Sequence, residues 1–453
     1  MPEEMELNPN QHKRLQELNQ ALDSGMFVHV RRMLHQMPPC DVALLLESSP
    51  PAGRKVLWQL TDPEQQGEIL EELNEDVMEG VLQLMAPETL AAATEGMDTD
   101  DIAYVLRSLP DSVYQEVLEQ MDGQDRHRVE AALAYPEDTA GSIMNTDTIT
   151  LRADVSIDVV LRYLRLRGEL PDATDALYVV DEDDLLLGDI PLSTLLTVNP
   201  NVNVREVMDG NAETIHVAMD ENDVAALFER HDWISAPVVD EQGRLLGRIT
   251  IDDVVDIIRE NAEHSMMGMA GMDDDEDTFA PVVKSTQRRT FWLAVNLCAA
   301  LVAASISNMF EATLEQLATL AILMTIVPSM GGIAGNQTLA LVIRGLAVGH
   351  IGEGNSRWLI GKEAAIGMLN GVIWATVIAL VVTLWKGDWT LGVIIAGAMF
   401  INMSLAGLAG VTIPLLMKKF KIDPALAGGM ALTTVTDVMG LFSFLGMATL
   451  VLA

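Results

Sequence analysis

One carboxylate stands alone in the most apolar stretch of the chain. Ala425–Leu452 is 28 residues long, and its single charged side chain is Asp437. As a helix this stretch measures roughly 42 Å, enough to cross a bilayer with some tilt, and it places Asp437 roughly 18 Å along. A carboxylate at that depth is costly unless it faces a bundle interior, a water-filled cavity or a cation. Thr433 and Thr434 lie four and three residues earlier and share its helix face. Gly428, Gly429 and Gly440 would let a neighbouring backbone come close. These residue types at this spacing fit a cation-conducting pore with Asp437 at its narrow part.

Other oxygen-bearing side chains cluster elsewhere. Asp98, Asp100 and Asp101 form the densest carboxylate group at a helix start. They read either as helix capping or as a divalent-cation site shared with another domain. Asp252, Asp256 and Glu260 are spaced four apart, with Asp253 and Glu263 beside them. Like charges at that spacing destabilise a helix, so the stripe is either solvated or screened by a bound cation. Mg2+ takes oxygen ligands and keeps several waters, which suits loosely spaced carboxylates that dock another acidic surface. Pro328-Ser-Met-Gly-Gly-Ile-Ala-Gly-Asn-Gln337 interrupts another apolar segment. Proline and clustered glycine there predict a broken or kinked helix lining a cavity, with Asn336 and Gln337 supplying amide oxygens. The other reading is a glycine packing face with one interhelical amide bond. Met266, Met267, Met269 and Met272 alternate with Gly268 and Gly271 and have no cysteine nearby, which favours a flexible or packing linker over a soft-metal site. The eight histidines are scattered, and there is no nucleophile–base pair, P-loop or His/Cys cluster. An enzyme is therefore not expected.

The elements that must position these groups divide the chain by charge. The formal net charge is −38. Residues 284–453 carry seven acidic and ten basic side chains, leaving 59 acidic and 18 basic in residues 1–283. A surface so acidic argues against nucleic acid and favours cations or basic partners, or serves only solubility. Cys40 and Cys298 make no disulfide framework, which fits a reducing compartment. The segment MPEEMELNPN has neither a basic nor an apolar signal region, so no cleavable signal peptide is expected.

Over residues 1–135, helix-start signals recur with a period near twelve, at Pro39, Pro51, Pro63, Glu75, Pro87, Thr99, Asp111 and Gly123. Apolar residues follow at helical spacing, predicting an acidic α-helical repeat of short paired helices. From residue 136 to 258 the pattern is α/β. Ala176–Gly188 and Ser235–Thr250 each read as strand, acidic turn, strand, some sixty residues apart. This resembles a tandem pair of CBS domains. In that family a Ser/Thr-x-x-Asp step contacts the ribose of an adenine nucleotide such as ATP. Thr250 and Asp253 match it, whereas Pro191-Leu192-Ser193-Thr194 in the first copy lacks the acid. Residues 259–290 form a connecting segment with an acidic run, Asp273–Asp277. A long helix through it into the membrane would put cation-driven movement next to the pore.

Residues 291–453 read as an all-α transmembrane domain with five apolar segments, roughly Phe291–Phe310, Leu317–Ile343, Ala364–Trp385, Thr390–Met417 and Ala425–Leu452. Lys284, Arg288 and Arg289 precede the first, Arg344, Arg357 and Lys362 separate the second and third, and Lys418, Lys419 and Lys421 separate the fourth and fifth. The positive-inside rule then makes the acidic half cytoplasmic and the C-terminus external. Five spans close into a pore most simply as a two-fold homodimer in the lipid bilayer.

Along nearly its whole length the chain resembles the MgtE-type magnesium channels and transporters. The resemblance rests on Tyr135-Pro-Glu-Asp-Thr-Ala-Gly141, the CBS pair, Gly331-Gly-Ile-Ala-Gly-Asn-Gln337 with Arg344, Asp423-Pro424-Ala425 and Thr436-Asp437-Val-Met-Gly440. It implies a homodimer in a bacterial inner membrane, with Asp437 holding hydrated Mg2+ through its waters. It also implies cytosolic Mg2+ sensing by Asp100 and Asp101 and by Asp220, Asp223, Asp252, Asp253, Asp256, Glu260 and Glu263. One departure is Ile333, where the family commonly carries Asn. Two other readings stay open: a membrane-anchored nucleotide sensor without transport, and a pore for Co2+, Mn2+ or Ca2+.

Overall fold

The computed structural model describes residues 26–452 except Gly96, Asp122, Asp172, residues 273–276, Leu317 and Glu353. The expected acidic run Asp273–Asp277 therefore lies outside the described residues but for Asp277. The chain divides into two compact units, residues 1–259 with 275–281, and residues 260–274 with 282–453.

Among the described residues, the first unit begins with nine α-helices. They are α1 (Phe27–His35), α2 (Pro39–Glu47), α3 (Pro51–Leu60), α4 (Gln66–Glu71), α5 (Glu75–Leu82), α6 (Pro87–Ala93), α7 (Thr99–Arg107), α8 (Asp111–Gln120) and α9 (Gly123–Leu133), with a 3-10 turn at Pro63–Gln65. Each start signal read from the sequence opens one of these helices or the turn. The cause is local. Proline opens α2, α3 and α6, where its missing N–H costs nothing. Asn74 caps α5 by accepting from the Val77 N–H at 3.1 Å. The helices are too short to stand alone and are held by a shared core that includes Leu46, Leu70, Val77 and Val105, all fully buried. The segment at Asp277 docks on this array. Arg54 Nη1 lies 2.9 Å from Asp277 Oδ2, and the two side chains are only 8% and 7% exposed.

Two copies of one β-α unit follow. The first holds β1 (Thr150–Arg152), α10 (Ile157–Arg167), β2 (Ala176–Val180), β3 (Leu186–Pro191) and α11 (Leu192–Thr197), and the short α12 (Val204–Val207) leads on. The second holds β4 (Ile215–His216), α13 (Glu221–His231), β5 (Ser235–Val239), β6 (Leu245–Thr250) and α14 (Ile251–Ala270). Each sheet pairs its first strand parallel and its last antiparallel to the middle one, and each carries a bulge at the end of the middle strand, Val179/Val180 and Val238/Val239. Gly188 and Gly247 occupy matching places. A Cβ would fall 2.1 Å from the Asp209 carbonyl oxygen at the first and 2.6 Å from that of Asn145 at the second, so the linking segments can lie against bare backbone. The turns of the two copies also pair: Leu186 N–H donates to Gly243 O, and Leu245 N–H to Asp184 O.

The second unit has α15 (Val282–Met309), α16 (Glu311–Gln316), α17 (Ala318–Leu323), α18 (Ile326–Ala347), α19 (Ser356–Lys386), α20 (Trp389–Lys419) and α21 (Pro424–Leu452). Among the described residues, five helical segments are long and apolar enough to cross a membrane. The most buried is α20, whose Ile394, Ala398, Asn402 and Ala406 are all 0% exposed. Glycine sets its approach to α19: a Cβ on Gly407 would meet Glu363 O at 2.8 Å, and one on Gly367 would meet Met403 O at 2.9 Å.

Two expectations are corrected here. The second span does break, but at Met324 and Thr325, ahead of the proline and glycines expected to break it. Pro328 sits in the first turn of α18, and Gly331–Gln337 is regular helix. Proline in a first turn has no intrahelical bond to lose. The connecting segment is not one helix into the membrane either. α14 ends at Ala270, where Gly271 adopts φ +71° and Met272 N–H returns to Met267 O, and α15 starts afresh at Val282.

Candidate cation sites

In the first unit the acidic groups come together at the start of α7. One carboxylate oxygen from each of Asp98, Asp100 and Asp101 lies within 4.8 Å of the others. Asp98 occupies the N-cap position, yet its side chain makes no cap hydrogen bond. Asp100 is 7% exposed and its Oδ1 is buried with no hydrogen-bond partner among the described residues. Burial first, then the charges of Asp253, Asp101 and Asp98, push the Asp100 carboxyl well above the usual carboxylate range. Burial, then Glu71 and Asp253, push Asp101 up to about 8. Asp253 rises to about 7 through burial and the charge of Asp252, offset in part by Thr250.

That offset is a local contact: Thr250 Oγ1 donates to Asp253 Oδ2 at 2.8 Å. The residues matched to a ribose-binding step are thus hydrogen-bonded to each other, and the acid also acts on the cluster at α7. Thr99 and Thr146 hydroxyls, 3.0 Å apart, fasten the start of α7 to the β-α part. Asp252 is exposed and acts on its neighbours by charge. Asp256 is raised by burial and lowered by Arg259, 3.1 Å away. Asp220 caps α13 by accepting from Asn222 N–H at 3.0 Å, and Asp223 is exposed in the first turn of that helix. Neither belongs to the three-carboxylate group, and Glu260 and Glu263 are exposed on α14.

In the second unit Asp437 is half-buried on α21 and takes no hydrogen bond or ion pair among the described residues. Thr433 and Thr434 donate to carbonyls of their own helix, Gly429 O at 2.9 Å and Met430 O at 2.8 Å. Their hydroxyl oxygens keep lone pairs to offer. Asn336 and Gln337 are exposed on α18. Gln337 lines a cavity that contains none of Asp437, Thr433 or Thr434.

Two polar residues inside the spans escape a reading of the sequence. Asn402 on α20 is fully buried; its Nδ2 donates to Val327 O at 2.8 Å and its Oδ1 has no hydrogen-bond partner among the described residues. Gly331 makes room for it, since a Cβ there would fall 2.1 Å from that nitrogen. Glu363 on α19 is 3% exposed. A lone amide or acid within an apolar run is the available signal for both. Asp423 caps α21 through Ala425 N–H at 2.9 Å and Leu426 N–H at 3.1 Å. His264 Nε2 of α14 lies 2.7 Å from Asp423 Oδ2, and Gly268 of the same helix packs against Ala425.

Three family models tile the chain. One described as the MgtE divalent cation transporter matches residues 324–447, one described as the MgtE intracellular N domain matches 37–138, and the CBS domain matches 140–201 and 204–260. The chain belongs to the MgtE family. As an MgtE chain it is 28% identical over 430 residues to the magnesium transporter MgtE of Bacillus subtilis, covering 94% of this chain and 95% of that one. It is 28% identical over 440 residues to the magnesium transporter MgtE of Thermus thermophilus, covering 96% and 98%. A crystal structure of the cytosolic domain of the Mg2+ channel MgtE in complex with ATP matches 54% of this chain and 99% of its own, at 30% identity and a TM-score of 0.50. The MgtE part that matches the transporter model contains α18, α19, α20 and most of α21, including Asp437.

Proposed function

We propose that this chain forms a homodimeric Mg2+ channel or transporter that imports Mg2+ and is closed by cytosolic Mg2+. The observation that carries the reading is Asp437, a carboxylate without a protein partner among the described residues, in the middle of an apolar helix. A bound cation offsets the cost of that carboxylate, and two copies facing across a dimer axis would hold a hydrated ion between them. Relatives named as magnesium transporters support Mg2+ as the ion. The N-terminal domains lie in the cytosol and the C-terminus outside, as the basic loops suggest. The apolar surfaces of α15 and α19, such as Leu297 and Leu384, suit lipid.

Regulation rests on the cluster at α7. With Mg2+ scarce, Asp98, Asp100, Asp101 and Asp253 repel one another and resist close approach. With Mg2+ plentiful, ions held by these carboxylates favour the compact arrangement by mass action. Asp220, Asp223, Asp252, Asp256, Glu260 and Glu263 add further weak sites. Movement reaches the pore through α14, which rests on the first turn of α21 through His264 and Gly268. ATP at the Thr250–Asp253 step would compete with the same carboxylate, so nucleotide and Mg2+ sensing are coupled there.

The test is growth of a bacterial strain lacking Mg2+ uptake. The wild-type chain restores growth in low Mg2+, and Asp437→Asn, present in the membrane at equal level, does not. Equal rescue by the variant sinks the assignment.

A further inference from the structure

A cavity of about 190 Å3 opens between α18, α19 and α20, lined by Gln337, Thr338, Lys362, Glu363, Asn370 and Gly407 among others. Glu363 is its charged floor. Thr338 Oγ1 donates to Glu363 Oε2 at 3.2 Å. Among the described residues Glu363 Oε1 is buried and accepts no hydrogen bond, although Lys362 Nζ stands 3.0 Å away. The Glu363 side chain is 4% exposed and that of Lys362 is 39% exposed, so the ammonium reaches in from the open side.

We propose that this cavity is a second divalent-cation site in the spanning helices, held by Glu363 with the amide oxygens of Gln337 and Asn370. Lys362 is the stand-in cation when no ion is bound. The donors are a carboxylate, two amides and a hydroxyl, all hard oxygens. A water needs only about 10–15 Å3 of cavity, so the space admits an ion with much of its water shell. Charge decides the ion class. An ammonium already neutralises Glu363, and a singly charged ion gains nothing by replacing it. A doubly charged ion attracts the carboxylate about twice as strongly at equal distance. Lys362, on a flexible stem with its head toward solvent, can swing away. Glu363 lies roughly 10 Å along α19 from its start at Ser356, whereas Asp437 lies roughly 20 Å along α21 from Pro424. Asp437 does not line this cavity, so the two carboxylates are separate stations.

The choice of ion rests on the transport reading above, but the test needs no flux. Full-length protein carrying Asp437→Asn is treated with dicyclohexylcarbodiimide, which couples to carboxyls in apolar surroundings, and adducts are located by mass spectrometry. Glu363 is expected to react in the cation-free protein, and saturating Mg2+ is expected to cut the adduct by about tenfold. Sodium chloride at matched ionic strength leaves it unchanged. Lys362→Met shifts protection to roughly tenfold lower Mg2+, equivalent to about 1.4 kcal/mol. Labelling indifferent to Mg2+, equal protection by Na+, or a Glu363 inert even without cations would overturn the proposal, the last by showing a sealed packing residue. A failed transport reading would look different: no flux from the wild type, with protection at Glu363 intact.

Discussion

Neutralising one acid of the α7 cluster should stabilise the cation-free protein. Asp101 is displaced from an ordinary 3.8 to about 8 by burial and by Glu71 and Asp253. A carboxyl raised in the native state binds more protons there than in the unfolded chain. Its contribution is therefore favourable at low pH and turns into a penalty as pH rises from the unfolded value toward the native one. At pH 7 about three units of that window have been crossed, which at 1.36 kcal/mol per unit is about 4 kcal/mol. The penalty is shared with Asp100 and Asp253, so about half belongs to one replacement. Asp101→Asn should then raise the melting temperature of the sensor part by roughly 4–8 °C in EDTA at pH 7, using about 2–4 °C per kcal/mol for a domain of this size. The gain should shrink toward zero near pH 4, where the wild-type carboxyl is protonated and as neutral as the amide. Mg2+ should stabilise the wild type more than the variant, because the variant has lost a ligand and a repulsion together. Thermal unfolding of the full-length protein, with and without Mg2+ at pH 4 and pH 7, reads all of this. A variant that melts at or below the wild-type temperature in EDTA, with the Mg2+ response unchanged, would refute the view that these carboxylates are held together against their charge.

Other outcomes follow from the same geometry. Between pH 8 and pH 6, Asp253 near 7 and Asp101 near 8 take up protons that Mg2+ must displace, so inhibition by cytosolic Mg2+ should need roughly 10- to 100-fold more ion at pH 6; flux inhibition curves at the two pH values measure it. Arg54→Ala leaves Asp277 buried without its ion partner and should cost about 3–5 kcal/mol, while Arg54→Met with Asp277→Leu recovers most of it, as read by denaturant unfolding. Gly331→Ala places a methyl 2.1 Å from Asn402 Nδ2 and should cost about 1–3 kcal/mol; Asn402→Ala in that background should restore part of the monodisperse yield.

What is legible in the sequence is what local chemistry decides. The helix starts from Pro39 to Gly123 can be placed because proline, aspartate and asparagine act within one turn of themselves. The paired β-α units are readable because Ala176–Gly188 and Ser235–Thr250 repeat one pattern. Contacts between distant residues are not. Asp100 and Asp253 are far apart in the chain, and only the packing of α7 against the β-α part brings their charges into reach. Glycine in the second span misleads because its effect depends on the neighbour: Gly331 serves the Asn402 side chain, and the helix stays regular around it. Glu363 escapes because apolar composition starts the third segment at Ala364, whereas α19 starts at Ser356 and carries the acid inside. Apolar composition marks where a helix can cross lipid, and says little about where its helical hydrogen bonding begins.

The central claim is that Asp437 holds the transported ion and that Mg2+ on the cytosolic side limits its own entry. It is tested most directly by Mg2+ flux into proteoliposomes containing wild type or Asp437→Asn, with Mg2+ on the cytosolic face varied independently. The account predicts wild-type flux that falls as cytosolic-face Mg2+ rises, and no flux through Asp437→Asn at any level. Undiminished flux through the variant, or wild-type flux indifferent to cytosolic-face Mg2+, would contradict it.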